Sequence, residues 1–183
     1  MTKRRATPQP GNARLRTANL LGALALEVTG RLQRQLRAHP NATDSSMAAL
    51  NVLGFYDGCS NTALARALKL SHTATVRLVD KLEAAGLVEA RPGDDRRATA
   101  LHLTASGRAR ARALLQDRCA ALGDVVDLLD PAEQALLARV AETMLARLTN
   151  SEAEADHICR LCDEIACPPD QCPVHQAALE KAA

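Results

Sequence analysis

Aromatic residues are nearly missing from this chain of 183 residues: it has one Phe, one Tyr and no Trp, and the two it has are neighbours, Phe55 and Tyr56. Single-stranded nucleic-acid binders stack bases on aromatic faces, so that function class fits poorly. Long apolar runs are missing as well, since no stretch approaches the roughly 18 apolar residues of a membrane span. Arg4-Arg5 ahead of "NLLGALALEV" has the outline of an export signal, but the run is short, meets Glu27 and continues as an amphipathic helix. No Ser/His/Asp set and no phosphate-cradling loop is evident, so no enzyme activity is expected. The expectation is a cytoplasmic protein with no membrane partner.

Ala, Leu and Val dominate an apolar fraction of 47%, a helix-rich composition for one domain or one domain plus an appendage. The net charge of +2 is unevenly spread. Residues 1–16 carry Lys3, Arg4, Arg5, Arg14 and Arg16 and no acid, and are expected to be a basic disordered tail. From Asn150 onward seven acids face only Arg160 and Lys181. A basic front and an acidic tail suggest that a polyanion meets the front half.

Leu21, Leu24, Val28, Leu32 and Leu36 recur at helical spacing and predict a long first helix ending near His39-Pro40. Asp44 or Ser45 can cap a second helix with Met47, Leu50 and Leu53. "DGCS" (57–60) reads as a turn, "NTALARAL" (61–68) as a short helix, and Ser71 as the cap of a helix running from Thr73 to Ala85 and stopped by Gly86. Residues 87–103 form a β hairpin around Pro-Gly-Asp-Asp. Thr104 caps a helix through Leu129, and "DPAE" (130–133) opens another that carries Leu136, Val140, Met144 and Leu148. After "SEAE" (151–154), Ile158, Leu161 and Ile165 continue helical spacing into the final segment.

The fold class is therefore mainly α with a small hairpin wing, in winged helix-turn-helix order. The helix 72–85 would enter the major groove of double-stranded DNA, presenting His72, Thr73, Thr75 and Arg77, while Val76, Leu78, Val79 and Leu82 face the core. Arg91, Arg96 and Arg97 gather at the hairpin tip, oriented by Asp94 and Asp95, where an arginine reaches a minor groove. The long terminal helices cannot bury their apolar stripes in so small a core, which suggests a homodimer matched to a palindromic operator. "RARAR" (108–112) reads as a solvated helix face, His102 as packing or solvent-facing, and Cys59 and Cys119 as small buried hydrophobes.

The stretch "LARALKLSHTATVRLVDKLEAAGLVEARPGDDRRATALHLTASGRAR" resembles the MarR family of transcriptional regulators. The "DKLEAAGLVE" helix exit, the "DDRR" wing and the "LTASGR" return carry the likeness, which spans residues 17–149 with a DNA-binding lobe at about 42–103. The resemblance implies a triangular dimer built from the terminal helices and regulation of nearby genes, repression first. It also implies a small aromatic ligand between dimer and DNA lobes, a wing aspartate and arginine at Asp95 and Arg97, and a recognition segment from Ser71 to Arg77.

Residues 150–183 lie outside that pattern. Cys159, Cys162, Cys167 and Cys172 follow the spacing C-x2-C-x4-C-x4-C, flanked by His157 and His175. Cys159 and Cys162 lie one helical turn apart, and "ACPPDQCP" allows the chain to fold back over them. Metal binding is favoured over a metal-free disulfide switch or inert thiols. The spacing matches a zinc knuckle with Cys in the histidine slot but lacks its aromatic and glycine positions. The tail is also similar to the cluster-binding C-terminus of superoxide-sensing MerR-type regulators. The preferred cofactor is an iron–sulfur cluster, 2Fe-2S or 4Fe-4S, that senses redox or iron status, with Zn2+ as the alternative. His157 and His175 are substitute ligands or, more simply, neighbours of the site. A thiol oxidoreductase is the rival from another class, but the βαβ context it needs is missing.

Overall fold

The computed structural model describes residues 12–40, 42–93 and 99–182. Among them the chain forms α1 (Ala13–Leu36), α2 (Asp44–Phe55), β1 (Cys59–Ser60), α3 (Asn61–Leu68), α4 (His72–Ala84), β2 (Val88–Pro92), β3 (Thr99–Leu103), α5 (Ala105–Val126), α6 (Pro131–Leu148), α7 (Glu152–Cys159) and α8 (Pro173–Ala182). Hydroxyl caps set the helix starts. Ser60, Ser71 and Thr104 each accept a backbone N–H three residues on, and Asp130 forms a reciprocal capping box with Glu133. Each such cap stabilises its helix by about 1 kcal/mol.

Lys69 takes the left-handed conformation, φ 50°, and turns the chain sharply between α3 and α4. Gly86, φ 68°, releases the chain from α4 into β2. Gly107 is needed for a different reason. A Cβ there would lie 1.8 Å from the Leu87 carbonyl oxygen, so only Gly lets α5 start against the base of the wing.

The antiparallel sheet has the order β1-β3-β2, with Leu101 opposite both Cys59 and Ala90. Its third strand is an addition to the expected hairpin: "DGCS" supplies β1 as well as a turn. Two residues are too few for alternation to reveal a strand. The main core lies between α2, α3, α4, the sheet and α5, centred on Leu50, Leu53, Leu64 and Leu101.

The expected boundaries hold for α2 through α6 to within a few residues, and the tail departs from them. Helix α7 stops at Cys159, and residues 160–172 run through turns, so Cys162 and Ile165 are not helical. Ile165 is 86% exposed and joins no apolar stripe. Helix α8 starts on Pro173, a residue preorganised for a first helical turn. It packs back on α6 and α7, while α7 packs on α3. A small second core joins Ala155, Cys172, Val174 and Ala178 to Ile158 and Cys159. Helices α1 and α6 contain no buried residue, and Leu20, Leu21, Leu24, Leu136, Val140 and Leu148 lie open.

Candidate functional site

On α4, Ser71 caps the helix by accepting the Ala74 N–H at 3.2 Å, and His72, Thr73 and Arg77 are exposed. Thr73 and Arg77 are four residues apart and share a face. Thr75 does not join them. It is fully buried, and its Oγ1 donates to the Ser71 carbonyl at 3.1 Å. A threonine that satisfies its hydroxyl on its own helix can enter a core. The expected base contact at Thr75 is therefore withdrawn, because its side chain cannot reach a groove. Val79 and Leu82 are buried as expected, and Val76 and Leu78 are half-buried.

Asp95, Arg96 and Arg97, together with Asp94, lie outside the described residues. Arg91, on β2, is paired with Glu89. The basic start of α5 does structural work: Arg108 donates to the Leu103 carbonyl at 2.6 Å, and Arg110 donates to the Pro40 carbonyl at 2.8 Å. His102 pairs with Asp57 at 3.0 Å and stays beside the sheet.

The tail cysteines come together on one cavity of about 350 Å3, walled on one side by α2 and α3 and on the other by the tail. Cys159, Cys162, Cys167 and Cys172 all line it, and so does Cys59 from β1. The Cys159 and Cys172 sulfurs are 3.8 Å apart. Cys159 also interacts with Cys162, and Cys167 with Cys172. Among the described residues no three His, Cys, Asp or Glu groups are arranged to hold one ion.

The thiols differ electrostatically. Cys162 is drawn down to about 7, first by a hydrogen bond from Cys159 and then, against burial, by the charges of Arg118 and Arg160. Cys159 is pushed up by the same pairing with Cys162 and by burial. Cys167 is raised to about 11, mainly by burial and then by Cys172. Partial burial raises Cys59 and Cys119, but Cys59 is only half-buried and Cys119 is exposed, so neither is the buried hydrophobe expected from the sequence.

His157 turns away from the thiols, with Nδ1 3.2 Å from the Ala67 carbonyl, whereas His175 lines the cavity. Sequence reasoning missed how firmly the tail is tied to the lobe. Arg66 of α3 bonds Asp156 at 2.9 Å and approaches Glu152 at 3.6 Å. Asn51 of α2 donates to the Arg160 and Cys162 carbonyls, and Arg118 of α5 donates to that of Leu161. The only signal for these ties was a polar Asn51 inside an otherwise apolar helix face.

Residues 42–98, from α2 through the wing, match the MarR family model. The fold is similar to solved MarR-type structures. Streptococcus pneumoniae FabT in complex with DNA has 20% identity over 74% of this chain and 96% of that one, with a TM-score of 0.66. YusO from Bacillus subtilis has 19% identity over 78% and 100%, TM-score 0.66. The MarR family protein Rv2887 of Mycobacterium tuberculosis has 27% identity over 69% and 91%, TM-score 0.56. No curated protein matches the chain. The fold is thus that of a winged helix-turn-helix protein, and within it residues 42–98 carry a likeness to the MarR family. Among the described residues no helix is long and apolar enough to cross a membrane.

Proposed function

We propose that this protein is a homodimeric, sequence-specific repressor that reads a palindromic operator in double-stranded DNA, and that its four tail cysteines bind an iron–sulfur cluster reporting redox or iron status. The DNA reading is supported by the exposed His72, Thr73 and Arg77 on a capped α4, beside a wing whose sequence carries Arg96 and Arg97. FabT, of similar fold, has been crystallised with DNA. The dimer is supported by the open leucine stripes of α1 and α6, which two copies would cover together.

The observation that carries the cofactor reading is the gathering of four thiols along one cavity. A single zinc needs four sulfurs at about 2.3 Å from one centre. A cluster spreads its ligands over several irons, so its thiolates need not meet at a point. The cavity of about 350 Å3 also exceeds what one ion occupies. Cys159, Cys162, Cys167 and Cys172 would be the ligands. When bound, the cluster supplies a redox-labile centre.

Structural zinc remains the second reading, favoured by one distance. The 3.8 Å between Cys159 and Cys172 equals the edge of about 3.8 Å expected for a tetrahedral zinc–thiolate shell. In that case a small aromatic ligand between the lobes would control DNA binding. Anaerobic purification separates the two readings. Brown protein with iron and acid-labile sulfide, bleached by serine at any of the four positions, supports the cluster. Colourless protein with one zinc per chain supports the alternative. Failure to bind its own promoter selectively overturns the regulator reading itself.

A further inference from the structure

We propose that the turn Arg160–Leu161–Cys162 is a wedge between α2 and α5, and that Asn51 is the positioning residue passing the state of the thiol site to the DNA-reading helix. The inference rests on the cofactor reading above and deepens it.

All three carbonyls of the turn are held by side chains of the winged-helix lobe. Asn51, 7% exposed on α2, donates through Nδ2 to the Arg160 carbonyl at 3.2 Å and the Cys162 carbonyl at 2.9 Å. Arg118 Nε, on α5, donates to the Leu161 carbonyl at 3.2 Å. Between these clamps the Leu161 side chain packs against the main core, lining a small cleft with Met47, Ala111 and Leu115. The same turn closes on the thiols, because the Cys162 N–H donates to the Cys159 carbonyl at 2.8 Å.

These contacts make the turn shared property. Drawing Cys159 and Cys162 onto one cofactor fixes the turn and with it the acceptors of Asn51. Releasing the thiols lets the turn leave, and the Asn51 amide then loses both carbonyl partners and opens to the cavity it lines. The two amide bonds, the Arg118 bond and the Leu161 packing are then lost together, so the alternatives are a docked wedge and an α2 freed on that face. Helix α2 packs on α3, α4 and β3, so its position sets that of the reading helix and the base of the wing.

The test uses the full-length dimer and a DNA fragment carrying its own promoter. The dissociation constant is measured for protein as purified, stripped with chelator under reductant, and rebuilt with ferrous iron and sulfide. Wild type is expected to differ about tenfold between loaded and stripped forms, a usual size for coupling between sites. N51L keeps the branched shape and removes the donors; it should retain iron while its ratio falls below twofold. L161A should do the same through the wedge itself and covers the case in which N51L fails to fold. Hydrogen exchange gives a second readout: stripping should accelerate exchange in residues 44–55 of wild type and leave N51L unchanged.

Variants that keep iron and also keep the wild-type ratio overturn the wedge alone. Equal affinity of loaded and stripped wild type overturns the sensory reading and the wedge with it. Wild type that takes up neither iron nor zinc sinks the cofactor reading. The wedge is then judged by alkylating the four thiols with iodoacetamide, which must shift wild-type affinity and leave N51L unshifted.

Discussion

In the lobe from α2 to β3, Leu50, Leu53, Leu64 and Leu101 are buried to 2% or less, and every neighbouring element adds an aliphatic side chain to one core. In the tail, the buried set is Ala155, Cys172, Val174, Ala177 and Ala178, small side chains that remove little apolar area from water. The tail keeps its place through polar ties: Asn51 and Arg118 on its carbonyls, Arg66 on Asp156, and Lys181 on the Thr149 carbonyl. A region held by burial tolerates chemical change poorly and rarely switches. A region held by a few hydrogen bonds and four thiols can be docked or released by one binding event. The contrast is between a lobe held by aliphatic burial and a tail held mainly by polar ties.

Truncating the lobe core should do the most damage. Leu50→Ala is expected to cost about 2–5 kcal/mol in denaturant titration, enough to threaten the whole lobe. Next comes Arg77→Ala on the exposed face of α4. It should weaken operator binding by about 1–3 kcal/mol in a salt-controlled titration, with dimer and tail unaltered. The matching change in the tail core, Val174→Ala, should cost only about 1–2 kcal/mol and show as faster amide exchange in residues 150–182 alone. An equal loss of protection across the lobe would erase the distinction between the regions.

Smaller still is Arg66→Ala, whose side chain is 51% exposed. At most about 1 kcal/mol is expected, shrinking as salt rises. The smallest effect on recognition belongs to Thr75. Thr75→Val should leave operator preference unchanged across a panel of DNA sequences, because the side chain is in the core. Altered preference would return Thr75 to the reading surface.

Helical spacing, hydroxyl caps and the Pro-Gly turn made α1 to α6 and the wing legible, since each is specified by side chains within a few residues. Thr75 was misread because a hydroxyl counts as polar in any pattern, although here its own helix satisfies it. Its spacing with Val79 and Leu82, four and three residues, was the available signal. Helix α8 is not among the elements expected from spacing, although it starts on a proline followed by "VHQAALEKA", because its ten residues show too short an apolar stripe to stand out alone. The helix expected through Ile165 failed because the backbone of 160–162 bonds to Asn51 and Arg118 in place of its own next turn.

The sequence by itself determined the winged helix-turn-helix order, the exposed pair Thr73 and Arg77, and the gathering of four cysteines at one end, all local properties of spacing and capping. Only the tertiary structure decided that the tail folds back as α7 and α8 and that Cys59 joins the cavity. It also decided that Asn51 reaches carbonyls more than 100 residues away. Such contacts depend on packing between distant elements, where shape and the satisfaction of buried polar groups choose the partner and no residue spacing records the choice.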